Sequence, residues 1–142
     1  AWNDPVKGTE LTKAQISQGA DVVYAAAGGT GVGVLQAAAD ANILSIGVDA
    51  NQNYMHPGQV LTSMLKRVDL AVYNAFSEGE SLTTGFNIMG LAEDGVGYAL
   101  DEHNETLVSA DMISKLEAEK AKIVNGQIKV HDYMSDNSCP VK

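Results

Sequence analysis

Residues 21–52 read D-V-V-Y-A-A-A-G-G-T-G-V-G-V-L-Q-A-A-A-D-A-N-I-L-S-I-G-V-D-A-N-Q, and few architectures accommodate such a stretch. Residues 21–27 are a short apolar run leading into Gly28 and Gly29, the pattern of a buried strand leaving a sheet. Residues 30–41 are rich in alanine and carry Val32, Leu35, Gln36 and Ala39 at helical spacing. Residues 44–48 form a second apolar run, closed by Asp49. Strand, glycine turn, helix and strand within about thirty residues make a βαβ unit, which requires a parallel sheet and a right-handed crossover. The fold class is α/β.

In open α/β sheets, ligands lie outside the carboxyl ends of the strands. Gly28, Gly29 and Thr30 stand at one such end and Asp49 at the next. Glycine lets backbone approach a ligand closely, and the helix that follows offers N–H groups at the positive end of its dipole. These residues define a binding rim. A dinucleotide site is one reading of it: Gly29 and Gly31 fit the first two positions of G-x-G-x-x-G, and Asp49 fits the acid that holds a ribose. The third glycine, however, is replaced by Val34, and no Gly-Lys-Ser/Thr follows to make a P-loop. A tight turn needed only for packing is the other reading.

The flanking segments extend the same pattern. Asn3 or Asp4 caps a helix with Pro5 in its first turn, carrying Leu11, Ala14 and Ile16 and ended by Gly19. A polar loop, 50–59, precedes a third strand at 60–65, closed by Lys66 and Arg67. Residues 68–76 form a helix with Val68, Ala71, Val72 and Ala75 on one face, and 77–84 are a linker. Residues 85–91 and 96–100 read as a hairpin about Asp94-Gly95. Ser109 caps a helix to about Val124, with Met112, Ile113, Leu116 and Ile123 facing inward; Asn125-Gly126 ends it. Residues 128–131 read as a last short strand and the remainder as disordered.

Composition narrows the function. At 142 residues and 45% hydrophobic content, one domain with a real core is expected. A net charge of −9 argues against nucleic acid and anionic membrane surfaces as partners. No run approaches the roughly 18 apolar residues of a membrane span, and no signal peptide is evident. His56, His103 and His131 lie too far apart for helical metal-ligand spacing, so no metal is expected. Cys139 sits in a polar tail, as a solvated thiol or as one half of a disulfide to a segment outside this chain. No Ser–His–Asp or Cys–His arrangement is supported.

Two side chains on the rim carry the chemistry. Asp49 can cap a loop, pair with Lys66, or accept hydrogen bonds from the vicinal hydroxyls of a sugar. Lys66, at the end of the neighbouring strand, can pair with Asp49 or donate to the same ligand. Trp2 is either a core anchor or an exposed ring for stacking, while Tyr54 and His56 read as surface or rim.

Trp2 to Gly8 (W-N-D-P-V-K-G), Ala26 to Val34 (A-A-G-G-T-G-V-G-V), Ile46 to Gln52 (I-G-V-D-A-N-Q) and Leu61 to Tyr73 (L-T-S-M-L-K-R-V-D-L-A-V-Y) together resemble the basic membrane protein family. These are the PnrA-like substrate-binding lipoproteins of ABC transporters. G-L-A-E-D-G-V-G-Y-A at 90–99 and N-G-Q-I-K-V at 125–130 resemble its closing segments. The resemblance implies a type I periplasmic binding fold, in which two α/β lobes joined by a hinge close on a ligand, commonly a purine nucleoside destined for a membrane permease. It implies no catalytic residue and no cofactor. Position by position, Trp2 matches the aromatic that stacks on the base, Gly28 and Gly29 the cleft loop, and Asp49 and Lys66 the acid and base that hold the ribose; Asn3 is adjacent.

Family members are normally longer, with an N-terminal lobe opposite this rim. The resemblance therefore implies a C-terminal portion lacking that lobe and located in the periplasm or anchored outside the cytoplasmic membrane. Residues 1–77 would form the βα units of the C-terminal lobe, and 78–142 a hinge-crossing hairpin, a helix and a tail. Exposed hinge strands make self-association an expectation. The competing classes are an NAD-dependent oxidoreductase using the loop 28–33 and a ligand-sensing domain of a regulator.

Overall fold

A computed structural model describes residues 2–139. The chain falls into two compact units, one ending at Ser109 and the other beginning at Ala110.

In the first unit, helix α1 (Pro5–Ser17) starts where capping chemistry dictates. Asp4 Oδ1 accepts the Lys7 N–H at 2.9 Å, and Pro5 opens the first turn, where a missing N–H costs nothing. Strand β1 (Val22–Tyr24), helix α2 (Thr30–Asp40) and strand β2 (Leu44–Asp49) form the expected βαβ unit. A short 3₁₀ turn (Asn53–Met55), strand β3 (Val60–Lys66), helix α3 (Val68–Glu78), a second 3₁₀ turn (Gly79–Ser81) and strand β4 (Val96–Tyr98) follow. The sheet order is β1-β2-β3-β4. The first three strands run parallel, with Tyr24 beside Ile46 and Val48 beside Met64, so their carboxyl ends share one rim.

The core forms where α2 meets β1. Val23 packs with Val34 and Ala38, flanked by Ala20, Ala25 and Ile43. The inward stripe of α2 is Gly31, Val34, Leu35 and Ala38, at i, i+3, i+4 and i+7. Of the residues at helical spacing in the sequence, Leu35 is buried while Val32 and Gln36 face outward, because the glycines place the close α1 contact on the Val34 side. Helix α1 likewise turns Gly8 and Thr12 inward and leaves Leu11 54% exposed. A β-carbon on Gly8 would collide with the Thr30 carbonyl, and one on Gly33 with the Pro5 backbone. The two helices thus touch backbone to backbone.

The expected hairpin is corrected. Residues 85–91 form no strand; β4 instead pairs antiparallel with β3, Lys66 beside Val96 and Met64 beside Tyr98. The Asp94-Gly95 turn exists, but it closes a local loop in which the Gly95 N–H donates to Gly90 O at 2.8 Å. Strand β3 offers a longer, half-buried ladder edge than the exposed 85–88 segment does. Helix α3 forms as expected, and none of its side chains is buried.

The second unit holds helix α4 (Ala110–Val124) and helix α5 (Tyr133–Asp136). Gly126 at φ +78 follows α4, matching the expected stop. Residues 128–131 form no strand, and the expected disorder after them is replaced in part by α5, capped by Asp132 accepting the Met134 N–H. Cys139 is exposed.

Candidate ligand-binding site

The rim is assembled from three strand ends. Past β1, Gly28 adopts φ +56, a conformation open to glycine without strain, and the chain turns into α2 at Gly29. Trp2 and Asn3 lie on this turn. A β-carbon on Gly28 would meet Trp2 O at 2.8 Å and the Trp2 ring at 3.3 Å, and one on Gly29 would run into Asn3 Oδ1. The segment is tied down by its next residue, whose Asp4 N–H donates to Thr30 Oγ1 at 2.8 Å. Trp2 is therefore not a core anchor: it rests on glycine backbone with 72% of its surface exposed, leaving ring face for a planar partner.

At the neighbouring ends, Lys66 Nζ lies 2.9 Å from Asp49 Oδ1. The side chains are 59% and 52% exposed, so the pair contributes only about 0–1 kcal/mol to folding. A carboxylate has further lone pairs and an ammonium further protons beyond this one contact. A diol can bridge such a pair, accepting from the ammonium and donating to the carboxylate. The structure thus brings together Trp2, Asn3, Gly28 and Gly29 at one strand end, and Asp49 and Lys66 at the next two.

The start of α2 is less suited to a phosphate. Its amides are engaged within the turn, Thr30 to Ala27 O, Gly31 to Gly28 O and Val32 to Gly29 O. Gly33 is committed to the α1 contact, and Val34, where a dinucleotide fingerprint needs glycine, is buried core. The glycines serve a tight turn and helix packing.

Behind the rim lies a polar network with no counterpart among the expected site residues. Asn53, Ser63 and Asn104 are wholly buried, and each is hydrogen bonded. Asp101 joins them, accepting from Asn51 and Asn53. The Asn51 amide, above all, holds its carboxyl below the ordinary aspartate range, with the His103 N–H and Asn53 assisting against desolvation. The only sequence signal was an N-Q-N cluster just after a strand. Asp101, Glu102 and His103 also bring ligating atoms within 4.8 Å of one another. Asp101 spends both oxygens on amide donors, which suits a structural role better than metal coordination.

Comparisons with known proteins place the chain in a family. A family model described as ABC transporter substrate-binding protein, PnrA-like, matches residues 1–133. The CD4+ T-cell-stimulating antigen of Listeria monocytogenes is 37% identical over 87% of this chain and 39% of its own length. Basic membrane protein D of Borreliella burgdorferi is 36% identical over 79% of this chain and 34% of its own. The chain thus spans under two fifths of these relatives. An ABC transporter solute-binding protein from Aeropyrum pernix superposes with a TM-score of 0.79 at 29% identity, over 92% of this chain and 45% of that one.

Proposed function

This chain belongs to the PnrA-like family of ABC transporter substrate-binding proteins, and from that premise we propose that it forms one wall of a cleft that grips a purine nucleoside for delivery to a membrane permease. One observation carries the ligand class: an exposed tryptophan seated on a glycine turn beside a strand end, with an accessible Asp–Lys pair at the next two. Trp2, seated on the Gly28–Gly29 turn, stacks on the base, and Asp49 and Lys66 bridge the ribose hydroxyls, with Asn3 beside the base.

The protein acts by closure around its ligand, without bond-making chemistry and without a cofactor. The opposite wall comes from the part of the family fold that this chain does not span, a reading supported by its 45% share of the Aeropyrum structure. Residues after 77 carry the chain across the hinge. An extracytoplasmic, membrane-anchored location follows from the transport role and the name of the Borreliella relative.

The test is to denature the purified protein and identify any small molecule released by mass spectrometry. A purine nucleoside is expected; NAD would overturn the reading.

A further inference from the structure

The ion pair at the rim stands on backbone that is itself held. Asp49 adopts φ +69, a left-handed conformation that aspartate tolerates better than most residues and that the contacts around it hold. The loop beyond it folds back on the sheet. Gln52 Oε1 accepts the Val48 N–H at 2.9 Å, the Gln52 N–H donates to Ser63 Oγ at 2.9 Å, and that hydroxyl donates to Asn53 Oδ1 at 2.8 Å. The side-chain amides of Asn51 and Asn53 then converge on one atom, Asp101 Oδ2, at 2.6 and 3.1 Å. Asp101 Oδ1 takes the His103 N–H at 2.8 Å. The turn bearing Asp101 is anchored in its own right: its N–H donates to Asn104 Oδ1, and buried Asn104 donates to Leu61 O and Ala99 O.

We propose that Asp101 is a positioning residue for the ligand rim, holding Asn51 and Asn53 and thereby the backbone that aims the Asp49 carboxylate. The proposal rests on the reading of Asp49 and Lys66 as ligand contacts. Asp101 acts at one remove, from fifty residues along the chain. A carboxylate is required, because only it accepts two amides on one oxygen while the other takes a backbone N–H. An asparagine there would turn either its NH2 toward two NH2 donors or its single oxygen away from the turn.

The experiment compares the unaltered chain with Asp101→Asn, Asn51→Ala and the double variant by hydrogen–deuterium exchange, and titrates each with adenosine, guanosine and inosine. In Asp101→Asn, exchange in 49–56 is expected to rise about tenfold while that of α2 stays unchanged, and nucleoside affinity to fall by about tenfold. Exposed Asn51→Ala removes the same bond from the other side, together with the Asn51 Oδ1 contact to the Asn53 N–H, so it tests the hold on the loop even if Asp101→Asn folds poorly. The double variant is expected to cost less than the sum of the two single ones, because both lose the Asn51–Asp101 bond. Unchanged exchange in 49–56, a rise spread evenly over the whole unit, or additive effects would each overturn the proposal. If the unaltered chain binds none of adenosine, guanosine and inosine, the ligand reading falls alone, and the exchange comparison still decides whether Asp101 holds the loop.

Discussion

Lys66 Nζ meets Asp49 Oδ1 at 2.9 Å across the ends of two adjacent parallel strands, in a pair more than half exposed on both sides. Such a pair is a poor device for stability and a good one for gripping a diol. Asp49→Asn is expected to change folding stability by less than about 1 kcal/mol. Nucleoside affinity should nevertheless fall about 10- to 100-fold, the worth of a hydrogen bond to a charged group. Urea unfolding and calorimetric titration on the same preparations separate the two effects.

Trp2 is the one tryptophan in the chain and is 72% exposed. Trp2→Ala therefore leaves the melting temperature nearly unchanged. Adenosine binding loses about 1–3 kcal/mol, the usual worth of stacking a base on an aromatic ring. A large drop in melting temperature would mean that the ring serves packing.

The glycines of α2 make opposite predictions. Gly33→Ala drives a β-carbon into the Pro5 backbone and is expected to cost about 1–3 kcal/mol. Gly31→Ala meets nothing nearer than Ala25 O at 3.8 Å and is expected to gain about 0.5–1 kcal/mol by relieving the entropy cost of a helical glycine. Denaturation midpoints of the two variants should move apart.

That contrast shows how far the chain could be read from its residues. The βαβ unit was legible because an apolar run, a glycine pair and an alanine-rich helix leave little choice of architecture. Helix α2 was legible, but its buried face was not, because Val32 and Val34 are equivalent in hydrophobicity and only the close approach of α1 at Gly33 chooses between them. The 85–91 strand failed because apolar content says nothing about partners, and β4 found its partner on β3. Asp49 and Lys66 were visible as strand-end charges. Asp101 was not: its role comes from a contact with Asn51 that no local pattern announces.

Acid should expose that hidden contact. The Asn51 amide, first among the causes, lowers the Asp101 pKa in the folded protein. A carboxyl whose folded pKa is depressed contributes stability that is fully present above its unfolded value, about 3.9, and is lost as pH falls through the lower folded value. Below about pH 4, the unaltered protein should lose stability more steeply than Asp101→Asn, which has no proton to take up there. Parallel pH profiles for the two proteins would count against a bonded carboxylate at 101.

Trp2 and the Asp49–Lys66 pair are proposed to grip one nucleoside between them. The most direct test follows the fluorescence of Trp2 while adenosine, guanosine and inosine are added, with free ribose and NADH as comparison ligands. Saturable quenching by at least one nucleoside is expected, strongly weakened in Asp49→Asn and not reproduced by ribose. Saturable quenching by NADH with none by any nucleoside would contradict it.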